Sequence, residues 1–266
     1  MSAVLLDKSK HVALITFNRP EAMNTFTGPM LEDLSAAYKE CDADDDVRVV
    51  VTTGAGKAYC AGADLSGGDT FAQELEESFS STPLAMQAYE VRKPVIAACN
   101  GHAVGVGLSV AMQADIRFFA EQAKYGFLQS QRGVIADFGV HHILPRLIGL
   151  EAALEMLMGG NRYTGQEAYD LGMARYLLST EEVLPAAMVM AENMAVSCAP
   201  LITGMAKRLT YNALDQSLDQ AVADETKALA FSMTMPDGME GGMAFFEKRA
   251  PQWQGAVNKD WPNWLK

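Results

Sequence analysis

Two hydrophobic periods alternate along the first part of the chain. Residues 11–18 alternate apolar and polar side chains, a pattern typical of a half-buried strand. The segment 47–53, with its apolar centre Val49–Val51, and the continuous apolar run 95–99 have the length of fully buried strands. Between the first two of these segments, Thr27 is a candidate N-cap for a helix. The apolar face of that helix would consist of Met30, Leu34, Ala37, Tyr38 and Cys41.

The later part of the chain changes from this alternation to helices alone. Similar patterns predict strands at 116–120, 124–127 and 174–178, and helices at 83–92, 140–150, 165–171 and 181–197. From Pro200 onward the apolar spacing is helical throughout, with Asp237 as the predicted cap of a last helix. This order predicts an α/β fold with a parallel sheet, followed by a helical region. We therefore divide the 266 residues into 1–199 and 200–266.

One glycine-rich stretch, residues 94–114, carries the strongest signal of a site. It reads PVIAACNGHAVGVGLSVAMQA, an apolar run of strand length that enters the start of a helix through Gly101, Gly105 and Gly107. Glycine lets backbone approach a ligand closely, and a strand that leads into a helix leaves unpaired N–H groups aimed at one point. Such a point suits an anion, or an oxygen that gains charge during a reaction.

Three other interpretations of this stretch are possible. A transmembrane helix is disfavoured because four polar residues interrupt the stretch, and Pro94 and Asp115 bound it. A dinucleotide fingerprint is disfavoured because the glycines are spaced GxxxGxG and not GxGxxG. A tightly packed strand and helix without any chemistry remains the serious alternative.

A second glycine turn follows the strand predicted at 47–53 and leads to Asp64 and Leu65. Two amide-presenting turns after two strands suggest an oxyanion hole assembled from separate loops, with the N–H groups of Ala63 and Val106 as donors. The natural substrate of such a site is an acyl carbonyl whose oxygen gains charge, as in enolate formation from a thioester.

Enolate chemistry also needs an acid or base, and the candidates are carboxylates in glycine-rich turns: Asp64, Asp69 and Asp137. Asp137 stands out because its neighbours Ile135, Ala136 and Phe138 are apolar, which would raise its pKa. An Asp three residues before a helix can equally be only an N-cap. His141 and His142 are adjacent on a predicted helix and point about 100° apart, so packing is a better explanation for them than metal binding.

Composition and charge limit the possible partners. The formal charge of −12 disfavours binding to nucleic acid or to an anionic membrane. The four cysteines are far apart and form no CxxC pair, so we expect neither a zinc site nor a disulfide framework. The N-terminus lacks the layout of a signal peptide, and a reducing cytoplasm is the expected location.

Taken together, these segments resemble the crotonase superfamily, the enoyl-CoA hydratase/isomerase family. The match runs in order along essentially the whole chain, through the segments 18–24, 56–65, 94–111, 115–117, 144–149, 164–168 and 245–249. The resemblance implies a spiral of ββα repeats (the ClpP/crotonase-like fold) for residues 1–199. For residues 200–266 it implies a helical region used for trimer formation and as a lid. It also implies a trimer or a hexamer, CoA thioester substrates and no separate cofactor.

The resemblance further implies roles for individual residues. Ala63 and Val106 would carry the oxyanion-hole amides, and Lys248 of a neighbouring subunit would reach the CoA phosphate. The residues assigned on this basis to substrate or CoA binding are Ala22, Met23, Asn24, Lys57, Ala61, Gly62, Ala63, Asp64, Leu65, Gly105, Val106, Ser109, Gln129 and Lys248. Local cations, including Arg249, would let an acidic protein hold CoA.

Departures from the family pattern decide the predicted reaction. Hydratases of the family carry two glutamates that position and activate water, and here those slots are Ser109 and Gln129. Neither side chain is a carboxylate base, which leaves Asp137, where several double-bond isomerases of the family place a lone catalytic acid. We therefore expect an enoyl-CoA isomerase with Asp137 as its acid/base and no metal. The alternatives are a hydratase or hydratase/lyase acting on an aliphatic or aryl-CoA, and a non-catalytic acyl-CoA-binding member.

Overall fold

The computed structural model describes residues 2–66 and 80–266 of the chain. Asp69 and most of the acidic segment 66–82, which the sequence suggests is a mobile element near a site, lie outside the described residues. The remaining elements form two β-sheets, with helices around them and at the C-terminus.

The larger sheet has six strands, and five of them run parallel. Its order is β1-β2-β3-β5-β7-β10, and β1 pairs with β2 in the antiparallel sense. Strands β2, β3, β5, β7 and β10 pair in parallel, with registers such as Val51 opposite Ile96. The strands are β1 (Val4–Ser9), β2 (Val12–Phe17), β3 (Val49–Gly54), β5 (Val95–Cys99), β7 (Ile116–Ala120) and β10 (Tyr176–Leu178).

The smaller sheet has the order β4-β6-β8-β9, and the chain alternates between the two sheets. The large-sheet strands β3, β5 and β7 are each followed directly by a small-sheet strand. These partners are β4 (Ala58–Cys60), β6 (His102–Val104) and β8 (Lys124–Gly126), and β9 (Tyr163–Thr164) completes the sheet. This repeated step from one sheet to the other agrees with the expected spiral. The stretch 94–114 therefore forms β5, β6 and a short helix, and not a single membrane-spanning helix.

Helices follow the strands, and all elements after β10 are helices. They are α1 (Gly28–Ala43), α2 (Val106–Met112), α3 (Val140–Ile148), α4 (Leu150–Gly159), α5 (Gly165–Asp170), α6 (Thr180–Ser197), α7 (Pro200–Ala213), α8 (Leu218–Thr234), α9 (Asp237–Glu247) and α10 (Val257–Asp260). Short 3₁₀ helices cover Pro20–Ala22 and Ser130–Arg132.

Local capping explains why several helices begin where the sequence predicts. The Thr27 hydroxyl accepts a hydrogen bond from the Met30 amide, and the predicted apolar face of α1 is buried. Thr164 and Glu167 form the predicted capping box at the start of α5. Ser179 and Glu182 are hydrogen-bonded in the same way at the start of α6.

Three secondary-structure predictions need correction. Residues 83–92 form turns and bends, because the buried Gln87 side chain donates to backbone carbonyls there and Lys93 precedes a proline. The helix predicted at 140–150 ends at Ile148, and Gly149, with φ of +82°, separates it from the unpredicted α4. Asp237 is the first residue of α9 and not its cap. The antiparallel strand β1 is also unpredicted.

The core lies between the sheets and their covering helices, and every residue of β3 and β5 is buried. One large hydrophobic cluster extends as far as Ala195, and a smaller one joins the C-terminal helices around Leu201 and Met205. Among the described helices, none taken singly is long and apolar enough to cross a membrane, and α6 with α7 meets that test only as a pair bent by 113°.

Close backbone contact at Gly107 generates a stability prediction. A Cβ atom at this position would lie 2.3 Å from the Cys60 carbonyl oxygen, whereas one at Gly28 would meet nothing within 4 Å. We expect Gly107→Ala to destabilise the protein by about 1–3 kcal/mol, because overpacking forces the backbone to shift. Gly28→Ala is the matched control, expected to be neutral or stabilising by up to about 1 kcal/mol. Urea unfolding of both variants measures the difference, and equal midpoints would contradict the predicted clash.

Candidate active site

Two turns of the small sheet place the predicted oxyanion-hole residues side by side. Strands β4 and β6 run parallel with Cys60 opposite Ala103, and each strand leads into a glycine turn. Gly62 and Gly105 have φ values of +115° and +57°, and a Cβ on Gly105 would lie only 3.8 Å from Gly62 Cα. Because Ala63 and Val106 follow these glycines directly, the structure brings the two predicted donors together.

The amides of Ala63 and Val106 are available to a ligand. Among the described residues neither N–H donates to a protein acceptor, whereas the neighbouring Asp64 amide donates to Phe26 O at 2.8 Å and the Gly105 amide to Gly126 O at 2.9 Å. Val106 is the first residue of α2, where a helix leaves its N–H groups unpaired. Two free N–H groups on adjacent turns can hold one oxygen atom.

The segments 22–24 and 61–65, both assigned to CoA binding, lie against each other. The Ala61 amide donates to Met23 O at 3.0 Å, and Phe26 forms a parallel bridge with Ala63. Asn24 is fully buried, and its amide donates to the carbonyls of Ala55 and Ala58. Asn24 is therefore a structural anchor of this loop, while Met23 and Leu65 are about half exposed and available for contact.

Asp64 is held in an ion pair and is not a free base. Its carboxylate accepts hydrogen bonds from the Ser66 hydroxyl and amide, and the Arg19 guanidinium lies 2.7 Å away. These hydrogen bonds, those from Ser66 first, lower the Asp64 pKa to about 2. Asp64 is thus ionised and bound to Ser66 and Arg19 at neutral pH. The prediction that it is a candidate acid or base therefore needs correction.

Asp137 has the opposite environment. Its side chain is half-buried in the turn before α3, and burial raises its pKa above the ordinary value of 3.8. Ser109, Gln129 and His141 lie close enough to oppose this effect and partly stabilise the carboxylate. The structure therefore brings together Asp137, Ser109 and Gln129, three residues that the sequence assigns to the site from separate segments.

Ser109 and Gln129 lie near the Asp137 carboxylate, but the geometry leaves several polar atoms here without a partner of good hydrogen-bond geometry. Oδ1 of Asp137 and both polar atoms of the Gln129 amide are buried without a hydrogen-bond partner among the described residues. The Ser109 hydroxyl donates to Gly105 O within its own helix at 3.3 Å. Buried polar groups are almost always satisfied, so these groups are positioned for a polar atom of a ligand or for water.

The predicted CoA-binding cations differ in availability. Lys57 and Lys248 are exposed, and Lys248 ends α9 in the left-handed conformation with φ of +55°. Arg249 instead forms ion pairs with Glu240 and Glu247 of its own chain, so its charge is already neutralised. Across the described parts of the chain, no cluster of three His, Cys, Asp or Glu side chains is arranged to hold a metal ion.

Comparisons with known proteins agree with this geometry. The family model described as Enoyl-CoA hydratase/isomerase matches residues 7–256. The chain belongs to the enoyl-CoA hydratase/isomerase family. It is 32% identical to an (E)-benzylidenesuccinyl-CoA hydratase of Thauera aromatica over 95% of this chain and 99% of that protein. It is 33% identical to a probable mitochondrial enoyl-CoA hydratase of Dictyostelium discoideum, covering 93% of this chain and 89% of the relative.

Solved structures of this family confirm the fold. The crystal structure of a probable enoyl-CoA hydratase/isomerase from Mycobacterium abscessus superposes with a TM-score of 0.92 at 38% identity. That alignment covers 95% of this chain and 98% of the other. The α/β crotonase fold expected from the sequence is therefore confirmed. The protein belongs to a family of enzymes that act on CoA thioesters.

Two residues important to the site are not identified by sequence reasoning. Arg19 holds the segment 61–65 through its ion pair with Asp64, and it also donates a hydrogen bond to Thr25 O. Gln113 donates to the Phe138 carbonyl directly after Asp137. In the sequence, Gln113 is noticeable only as a polar residue in an apolar segment. That observation argues against a membrane-spanning helix, but it does not indicate that Gln113 belongs to the site.

The Asp64 environment predicts a pH-dependent stability difference. Because the folded pKa is depressed, Asp64 contributes stability that is complete above its unfolded pKa of about 3.9 and is lost as the pH falls towards 2. We expect Asp64→Asn to be less stable than wild type at about pH 5, with a gap that narrows on acidification. Urea midpoints of the two proteins measured along this range test the prediction. A gap independent of pH would show that the Asp64 charge is not responsible.

Proposed function

We propose that this chain is an acyl-CoA enzyme that shifts a carbon–carbon double bond, with Asp137 as its single acid/base. The observation that supports this most strongly is the contrast between Asp137 and its polar neighbours. Asp137 is an ionisable carboxyl with a raised pKa, while its polar neighbours Ser109 and Gln129 are neutral. One carboxyl can remove a proton from one carbon and return it to another without activated water.

The oxyanion hole supplies the other half of this mechanism. The Asp137 carboxylate takes a proton from the carbon beside the double bond, and the electron pair moves through the conjugated system to the thioester oxygen. The Ala63 and Val106 amides donate to that oxygen as its charge develops, and each donor contributes a few kcal/mol, about 3–4 in well-studied cases. The protonated Asp137 then returns the proton to the far carbon, which regenerates the thioester carbonyl and the carboxylate.

Binding of the CoA part is assigned to the loops beside these amides. The segments 22–24 and 61–65 form one surface through their mutual hydrogen bonds. Lys57 and the exposed Lys248 provide positive charge for phosphate groups in a protein whose net charge is −12. These local positive charges allow a protein with a negative net charge to bind the phosphate groups of CoA.

Hydration of an enoyl-CoA is the second candidate, and two observations favour it. The two relatives described above carry hydratase names. The unpaired Gln129 amide, which has both a donor and an acceptor free, could orient a water molecule towards Asp137. Isomerisation remains our first choice because, among the described residues, Asp137 is the one carboxyl placed beside Ser109 and Gln129, whereas two-carboxylate hydration uses two.

Substitution of Asp137 separates catalysis from stability. We expect Asp137→Asn to lower turnover of a 3-enoyl-CoA by about 10²–10⁴-fold while thioester binding is retained. Because burial raises the Asp137 pKa, ionisation at neutral pH opposes folding, so the neutral variant should be at least as stable as wild type. The wild-type kcat/KM should fall on acidification through a pKa above 3.8, as the base becomes protonated. Initial rates and thermal unfolding of both proteins provide the measurements.

Isotope tracing distinguishes the two candidate reactions in the same assay. Isomerisation moves the double bond without incorporating solvent oxygen, whereas hydration of a 2-enoyl-CoA in ¹⁸O-water adds one labelled oxygen to the product. Full activity of Asp137→Asn would contradict both proposals. Thioester binding without either reaction would favour the non-catalytic alternative.

Self-association is proposed for the helical region 200–266. Its helices expose large apolar side chains, among them Leu218, Met233, Phe245 and Phe246, each at least 74% exposed. Monomeric proteins rarely expose contiguous apolar patches larger than a few hundred Å². We therefore expect light scattering to give a mass of three or six chains for wild type, and Phe245→Ser with Phe246→Ser to shift the protein to smaller species. A monomeric wild type would refute this proposal.

A further inference from the structure

We propose that Gln113 is a positioning residue for Asp137: its buried side-chain amide holds the backbone of Phe138 and links it to the segment 81–88. The kinetic consequence of this role rests on the proposed function, whereas the structural role does not. Gln113 does not touch the reacting atoms, and it acts only through the turn that carries Asp137.

The turn after Asp137 has a backbone that other groups must hold in place. Phe138 has φ of +55° and Gly139 has φ of +73°, so two consecutive residues are left-handed. A left-handed bulky residue is uncommon and persists only when its surroundings determine it. The direction in which the Asp137 side chain points therefore depends on what holds Phe138.

Hydrogen bonds hold both backbone polar groups of Phe138. Its N–H donates to Ser81 O at 3.0 Å, and its carbonyl accepts from Gln113 Nε2 at 3.1 Å. The Phe138 side chain is itself buried in the core. The conformation of this residue is thus defined by Gln113 on one side and by the segment 81–88 on the other.

Gln113 belongs to a buried amide network that is well satisfied. Its Nε2 also donates to Gln87 Oε1 at 2.9 Å, and its Oε1 accepts from the Ala88 amide at 3.4 Å. Gln87 donates in turn to Leu84 O at 2.8 Å. Gln113 is 1% exposed and Gln87 3%. A fully satisfied buried network rigidifies its surroundings and specifies one arrangement.

Gln113 connects the helix that presents an oxyanion donor with the turn that carries Asp137. Helix α2 begins at Val106, whose amide is one oxyanion donor, carries Ser109 in its middle and ends beside Gln113. The hydrogen bond from Gln113 to Phe138 therefore fixes Asp137 relative to the same short helix that presents the oxyanion donor. Catalysis by proton transfer depends on this relative placement, because a displacement of about 1 Å can cost about 100-fold in rate.

The decisive variant is Gln113→Met, which keeps the side-chain length but removes both donors. We expect kcat to fall about 10- to 100-fold with little change in KM. We also expect the pKa of Asp137 to change, observed both in the pH profile and by ¹³C NMR of labelled aspartate, with Asp137→Asn used to assign its signal. Thr52→Val is the matched control, since it removes the buried hydrogen bond between Thr52 in β3 and Tyr59 in β4. It should lower stability without altering either pH titration.

The NMR titration separates this inference from the proposed function. If Asp137→Asn retains activity, the proposed function fails, but an altered Asp137 titration in Gln113→Met still supports the positioning role. If Gln113→Met loses only stability, like Thr52→Val, and leaves the Asp137 titration unchanged, the inference is overturned. Should Gln113→Met not fold, Gln113→Asn decides in the same way, because it keeps a polar amide in the buried site but is too short to keep the 3.1 Å bond to Phe138 O.

Discussion

The site depends on one backbone contact, the close approach of the two glycine turns that follow β4 and β6. Parallel pairing of these short strands would place a Cβ on Gly105 in contact with Gly62 Cα at 3.8 Å, and a Cβ on Gly62 would lie 3.3 Å from Val104 O. Glycine suits both positions because both have positive φ values, which residues with a side chain rarely adopt. The adjacent amides of Ala63 and Val106 follow from this close approach, and so does the place at which a thioester oxygen could be held.

Two aspartates near this point show how environment assigns different roles to one residue type. Asp64 is held by Ser66 and Arg19, which stabilise its charge and lower its pKa to about 2. Burial raises the pKa of Asp137, and its Oδ1 has no partner among the described residues. The first carboxylate orders the segment 61–65, whereas the second retains a proton affinity that a reaction can use.

Sequence reasoning succeeds for elements that neighbouring residues determine. It fails where contacts between distant segments determine the conformation. The strands β2, β3 and β5 and the cap at Thr27 are predictable because periodicity and capping act within a few residues. The helix predicted at 83–92 is wrong because a buried side chain, Gln87, supplies bonds that no local pattern reveals. The two oxyanion-hole amides and the acid/base Asp137 could be identified as candidates from the glycine turns and the family resemblance. The link from Gln113 to Phe138 spans 25 residues and needed the folded structure.

The central claim is that Asp137 exchanges a proton with carbon while the two amides hold the thioester oxygen. Its most direct measurement is the uptake of solvent deuterium by 2-enoyl- and 3-enoyl-CoA in heavy water, read by mass spectrometry for wild type and Asp137→Asn. The account predicts deuterium on carbon for wild type and none for the variant, with both proteins still binding the thioester. Equal uptake by the two proteins, or none by either, would contradict it.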